Sequence, residues 1–179
     1  EGYLLGNIST DQNAVIISGP ESVVRRIAST SVEINVDGAT SDVNITLPVH
    51  LYDADGHEVD DSKLTKSVSE VFTTASILQT KEIPIEYIAE GTPAEGYIFT
   101  NEYVKEPSVV TIAAKASVLK NINGITIDDV LDLDGATGNV TADVELKKYL
   151  PDYAVLADGQ FEGIATVTAV VEEESIRTV

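Results

Sequence analysis

The chain has 179 residues, 43% of them hydrophobic, and carries 11 basic against 30 acidic residues for a formal net charge of -19. The hydrophobic share supports one ordinary domain or two small ones rather than a disordered acidic tail. The charge excludes phosphate backbones, whose binding needs Lys and Arg in place of condensed counterions, and it disfavours contact of this segment with anionic membrane surfaces. Without cysteine there is no disulfide framework and no thiolate zinc site. No apolar run approaches the roughly 20 residues that span a bilayer. No basic stretch followed by an apolar one opens the chain. Methionine is absent even at position 1, so the chain reads as a processed product or an excised piece, with any targeting or anchoring element outside it.

In chain order, Gly2-Tyr3 opens a first strand and Ala14–Ile17 forms a second, apolar one. A helix is expected from Gly19-Pro20-Glu21-Ser22, because Pro is tolerated in a first turn that lacks intrahelical donors' partners anyway. Val23, Val24 and Ile27 then share one face. Val32-Glu33-Ile34-Asn35-Val36 alternates as a strand does, and Asp37-Gly38 marks a turn. The clearest alternation is Val43, Ile45, Leu47, Val49 and Leu51 against Asn44, Thr46 and His50. Its apolar row is expected in the core, so Asp at Val43 or Ile45 should unfold this half. Pro48 removes a ladder donor and predicts an edge strand or a strand end. Val68–Ala75 closes the set.

The second half repeats the first, and a repeat decides the architecture. Glu1-Gly2-Tyr3 returns as Glu95-Gly96-Tyr97, and Val15-Ile16-Ile17 as Val110-Thr111-Ile112. Ser22–Ile27 matches Ser117–Ile122, and Asp37-Gly38-Ala39-Thr40 returns intact at 134–137. The counterpart of Val32–Val36 carries Val130, Leu131 and Leu133. The alternation returns as Val140, Ala142, Val144 and Leu146 against Thr141, Asp143, Glu145 and Lys147, and Ile164–Val171 closes this copy. Ala114-Lys115-Ala116 stands where the first copy has Gly-Pro-Glu, so a different helix entry is expected there. The fold expected is mainly β: two tandem small β-rich repeats, 1–78 and 79–179, each with one short helix. The boundary falls near 76–80. The opening strand of the second copy, Lys81-Glu82-Ile83-Pro84-Ile85-Glu86-Tyr87, has no counterpart before Glu1. The first copy therefore lacks its first strand or borrows an equivalent from elsewhere.

The residue types that carry chemistry fall in a few stretches of the chain. His50 and His57 are the imidazoles of a chain with no Cys and no Gly-x-Ser-x-Gly elbow. With Asp53 and Asp55 they could form a metal site, although Asp-x-Asp-Gly is ordinary hairpin composition. Read as a calcium loop from Asp53, position 5 is His57 and position 12 is Leu64, so that pattern fails. Asp128-Asp129 with Asp132 and Asp134 is a second acidic cluster, read as a solvated face or a weak extracellular cation site. Glu172-Glu173-Glu174 reads as a charged exit from the last strand. With Trp absent, no aromatic platform accompanies the carboxylates as a sugar site would want; Tyr3, Tyr97 and Tyr103 read as packing residues with a polar rim. No glycine run leads into a phosphate-cradling Gly-Lys-Ser/Thr. No catalytic, cofactor-binding or metal-binding residue is assigned, no cofactor is expected, and the chain reads as a non-enzyme.

The order of elements resembles the YbbR-like family. The resemblance rests on the Lys then Ile-Pro-Ile strand at 81–87, the Gly-Tyr steps at 2–3 and 96–97, the Gly-Pro-x-Ser-Val helix start at 19–23, and the turn around Val36-Asp37-Gly38. It covers nearly the whole chain in two copies, and its residues are structural rather than reactive. It implies a membrane-anchored bacterial protein whose repeats lie on the outer side of the cytoplasmic membrane. It further implies a protein partner, a membrane-bound diadenylate cyclase that makes cyclic di-AMP, which the repeats regulate. The alternative is a cell-surface structural or adhesive β-repeat.

Overall fold

The computed structural model describes residues 2–178. It is mainly β, as the alternating apolar rows imply, and it divides into two compact units: Leu5–Leu78, and residues 79–178 together with 2–4.

The first unit contains β1 (Tyr3–Thr10, from Leu5 on), β2 (Ile17–Ser18), α1 (Glu21–Val24), β3 (Ser29–Ser31), β4 (Val43–Pro48), β5 (His50–Tyr52), β6 (Thr65–Lys66) and the 70–78 part of β7 (Glu70–Tyr87). β4 lies antiparallel on one edge of β7, from Val43 opposite Ala75 to Pro48 opposite Glu70, and β1 lies on the other. β2 pairs with β6, and β3 pairs with β5. Pro48 ends β4, as its missing donor predicts.

The second unit opens with the 79–87 part of β7. It continues with β8 (Tyr97–Glu106), β9 (Val109–Ala114), α2 (Ala116–Leu119), β10 (Ile125–Ile127), β11 (Val140–Glu145), a 3-10 turn (Leu146–Tyr149), β12 (Val155–Leu156) and β13 (Ile164–Glu173). Here β13 lies between β11 and β8, as β7 lies between β4 and β1 in the first unit. β12 pairs with β9, matching β6 on β2.

The likeness of the halves extends to single hydrogen bonds. Asp42 Oδ1 accepts from Ile77 N–H at 2.8 Å, and Asn139 Oδ1 accepts from Val171 N–H at 3.0 Å. Asn35 Oδ1 accepts from Asp37 N–H at 2.8 Å, and Asp132 Oδ1 from Asp134 N–H at 2.9 Å. The next residue is Gly38 in one turn and Gly135 in the other, with φ of 71° and 69°, where a Cβ would be strained.

Several readings of the sequence need correction. Ala14–Ile16 form no strand, since β2 is Ile17–Ser18 alone; the row from Val43 to Leu51 is broken at Val49 into β4 and β5, which pair with different strands; and the closing strand Val68–Ala75 and the opening strand Lys81–Tyr87 are one continuous strand, β7. Val32–Val36 forms no strand: the ladder falls at Ser29–Ser31, while Val32, Ile34 and Val36 stay half-buried on alternate positions. Its counterpart around Val130–Leu133 is likewise irregular, and the strand there is Ile125–Ile127. Leu146 and Lys147 leave the alternation for the 3-10 turn, although Leu146 is fully buried. The two helix entries do not differ. Pro20 (φ -56°, ψ 130°) and Lys115 (φ -61°, ψ 145°) hold the same extended geometry, and their carbonyls accept from Val23 and Val118 at 2.9 Å. An extended residue before the helix is the requirement, and either residue type meets it.

The cores are unequal. In the second unit eighteen residues are buried together, among them Ile83, Ile85, Ile112, Ile127, Leu133 and Val167. In the first, only Val49, Leu51, Val59 and Val71 are buried as a cluster, with Val15, Ile17, Val23, Ile27 and Val32 packed partly against it. Val43 is half-buried and Ile45 is 44% exposed, so a charge at Ile45 would reach water instead of unfolding this unit. Leu51→Ala, which deletes a fully buried side chain, is expected to cost about 2–5 kcal/mol. Ile45→Ala is expected to cost under about 1.5 kcal/mol. Urea titration followed at amides of the first unit separates the two.

Thr73 is fully buried with no partner for its hydroxyl, at the position equivalent to the buried Val167. Thr73→Val keeps the shape and removes the unpaired group, so it is expected to stabilise the first unit by about 1 kcal/mol. A lowered urea midpoint would contradict this.

Candidate functional site

The hairpin after β5 brings the first set of candidate residues together. Asp53 Oδ1 accepts from Asp55 N–H at 3.0 Å and from His57 N–H at 2.9 Å, closing a tight turn in which Gly56 takes φ 81°. These donors favour the charged form, so the Asp53 carboxyl titrates below the usual aspartate range, with His57 N–H the largest cause and the Asp55 N–H and the His57 and Arg26 charges assisting against some desolvation. One ligand atom each from Asp53, Asp55 and His57 lies within 4.8 Å of the others. Three exposed or half-exposed donors fall short of the six to eight oxygens calcium takes, and the Asp53 oxygen nearest the imidazole already serves the backbone. His50 does not join them: its Nδ1 lies 2.6 Å from Glu58 Oε1. Among the described residues no Ser or Thr hydroxyl is hydrogen-bonded to either imidazole, so the nucleophile and base that acyl transfer needs are not assembled.

The second acidic set is structural in the same way. Asp132 Oδ1 accepts from Asp134 N–H, Asp134 Oδ1 from Thr92 N–H at 2.8 Å, and Asp129 Oδ1 from the Tyr149 hydroxyl at 2.6 Å. That hydrogen bond to Asp129, with some desolvation and the nearby Asp129 and Asp128 charges, holds the Tyr149 hydroxyl's pKa above its ordinary value. A Cβ at Gly91 would stand 2.6 Å from Asp134 N, so only glycine lets the 88–94 loop approach this closely. Glu172 and Glu173 end β13 on exposed positions.

The tyrosines divide by environment. Tyr103 packs edge-on against Phe99, with ring centroids 5.4 Å apart, and its hydroxyl accepts from Ala89 N–H at 2.9 Å. Tyr3 is 42% exposed. Tyr87 is buried, with burial raising its hydroxyl pKa, and Lys105 Nζ stands 5.9 Å over its ring.

The Asp53 turn has a pH signature. A depressed folded pKa stabilises the turn above the unfolded value, and the contribution is lost as pH falls through the folded one. The amide signals of Asp55 and His57 are therefore expected to titrate together with a midpoint below that of a free aspartate. A midpoint at or above the free value would contradict the assignment.

Comparison with known proteins finds no match among curated proteins. A solution structure of a structural-genomics target from Streptococcus thermophilus is 16% identical over 57% of this chain and 92% of that one, with a TM-score of 0.44. A crystal structure of a YbbR-like protein from Streptococcus pneumoniae is 13% identical over 97% of this chain and 87% of that one, with a TM-score of 0.39. The family model of YbbR-like proteins matches residues 1–71 and 83–171. Those two segments take in most of both repeats, and the chain belongs to the YbbR-like family.

Proposed function

We propose that this chain is a non-enzymatic regulatory module on the outer face of the bacterial cytoplasmic membrane, held there by an anchor outside these residues. Its partner in this reading is a membrane-bound diadenylate cyclase whose output of cyclic di-AMP it adjusts. The observation that carries the reading is the family match over both repeats. The chemistry of the candidate residues supports it. The carboxylates most suggestive of a site bind backbone amides of their own turns, and both imidazoles face carboxylates. Such groups build surface shape and charge, the requirements of a recognition module.

A net charge of -19 favours a partner surface that is basic, because complementary fields raise the encounter rate and that gain is screened by salt. Adding the full-length protein to membranes containing the cyclase is expected to change the rate of cyclic di-AMP formation. The effect should shrink as ionic strength rises from 50 to about 500 mM, where the screening length falls below roughly 5 Å. A cyclase rate indifferent to the protein at every salt concentration would refute the proposal.

A further inference from the structure

Asn123 and Gly124 form a two-residue link between two pinned points of the second unit. On one side Ile122 is buried, and its carbonyl accepts from Lys81 Nζ at 2.5 Å. On the other, Ile125 is buried and pairs with Ile85 at the start of β10. Asn123 itself is exposed. Among the described residues, neither its side-chain amide nor the Gly124 N–H takes part in a hydrogen bond.

Packing requires the glycine at 124. A Cβ there would stand 3.2 Å from Pro84 O and 3.4 Å from Pro84 Cγ, so a side chain would push the link away from the 79–87 strand. The same lack of a side chain leaves the Gly124 nitrogen unshielded towards the asparagine before it. The chain has eight asparagines, and Asn123 alone is followed by glycine. Asn7, Asn35, Asn44, Asn121 and Asn139 precede Ile or Val, whose branched Cβ crowds that nitrogen. The side-chain oxygens of Asn35, Asn44 and Asn139 are also held in hydrogen bonds.

We propose that Asn123 is a site of self-modification in the folded protein, where the asparagine converts to aspartate and isoaspartate. The Gly124 amide nitrogen loses its proton to hydroxide and attacks Asn123 Cγ. The new N–Cγ bond closes a five-membered imide, the Cγ–Nδ2 bond breaks, and the nitrogen leaves as ammonia after taking a proton from water. Water then adds to one of the two imide carbonyls. Breaking the N–Cγ bond gives aspartate. Breaking the bond from that nitrogen to the Asn123 main-chain carbonyl carbon leaves the chain running through Cβ and Cγ, which is isoaspartate. The net change is one water taken up and one ammonia released, and either product adds one negative charge. Aspartate suits an exposed position. Isoaspartate adds a methylene, about 1.5 Å of main chain, to a link pinned at both ends, so the pairing of Ile125–Ile127 with Ile85–Tyr87 has to loosen. The proposal goes beyond the regulatory reading and does not rest on it.

The test incubates the purified chain at mildly alkaline pH and follows its peptides by mass spectrometry. The exchange of ammonia for water is expected at Asn123, at a rate that rises with hydroxide concentration. That rate should lie no more than about tenfold below the rate in the urea-unfolded chain, because a segment without hydrogen bonds opens at little cost. The other seven asparagines should convert more slowly. Asn123→Gln, at an exposed position, should keep the fold and abolish the change, since its longer side chain must close a less favoured six-membered ring. Hydrogen exchange at residues 125–127 should be faster in the isoaspartyl fraction than in Asn123→Asp, which carries the charge without the added methylene. Three outcomes overturn the proposal: a folded chain that stays unconverted while the unfolded one reacts, equal conversion at another asparagine, or equal protection of 125–127 in the isoaspartyl fraction and in Asn123→Asp.

Discussion

One strand, placed between two others, decides how well the second half of this molecule closes. A β-strand that must be covered on both edges and on one face cannot be replaced by surrounding side chains, because its amides need partners and its side chains need depth. In the second unit, residues 79–87 meet that need. Ile83, Ile85 and Tyr87 point inward, their backbone engages β9 and β10, and Lys105 Nζ donates to Ile85 O at 2.9 Å. Fully burying each such side chain contributes about 1.5–3 kcal/mol, and the residues it covers gain as much again. In the first unit, β2 and β3 reach only two and three residues and the inward side of β4 stays partly wet at Ile45.

The rest of the architecture does not depend on that strand, which explains how the halves stay alike despite it. In the trio β4–β7–β1 and the trio β11–β13–β8, β4 pairs antiparallel with β7, and β11 and β8 with β13, over six or seven residue pairs each. The side-chain bonds that fix their register recur in both: Asn44 to Thr74 in one, Thr141 to Thr168 in the other. One partner differs, Asn44 against Thr141, while Thr74 and Thr168 match, and the bond persists because it needs a short polar side chain at a given step and little more. Drift of sequence within a fixed hydrogen-bond frame is how two segments with few identities can hold one topology.

Much of this frame was legible in the sequence, and what was missed has a common cause. Alternation reports which side chains face inward, so closing strands at 68–75 and 164–171, an opening strand at 81–87 and the rows at 43–47 and 140–144 were readable, but not that 70–87 runs on as one strand, β7. Alternation does not report whether a neighbour supplies the ladder. Val32, Ile34 and Val36 keep the burial rhythm of a strand without hydrogen bonds to another, and Ile125–Ile127 becomes a strand because β7 lies beside it. Ile45 failed for the same reason: its inward direction was correct, but the core it faces is shallow. The short β6 and β12 carry too few residues for any period to register. At the candidate sites the sequence pointed to Asp53, Asp55 and His57 as neighbours. It could not tell that the Asp53 carboxylate would be engaged by backbone amides, since an Asx turn and a metal loop begin with the same residues.

That engagement bears on what the surface is for. A carboxylate that accepts two amide hydrogens is fixed in direction and held ionised, so it cannot act as a mobile acid near neutral pH. It can present a rigid negative charge. Asp132 and Asp134 each accept one amide hydrogen and are likewise fixed in direction, with Asp134 tying the 88–94 loop to the 131–135 turn while both keep exposed positions. Fixed charge on preformed turns lowers the ordering cost of association and tunes encounter rate more than affinity.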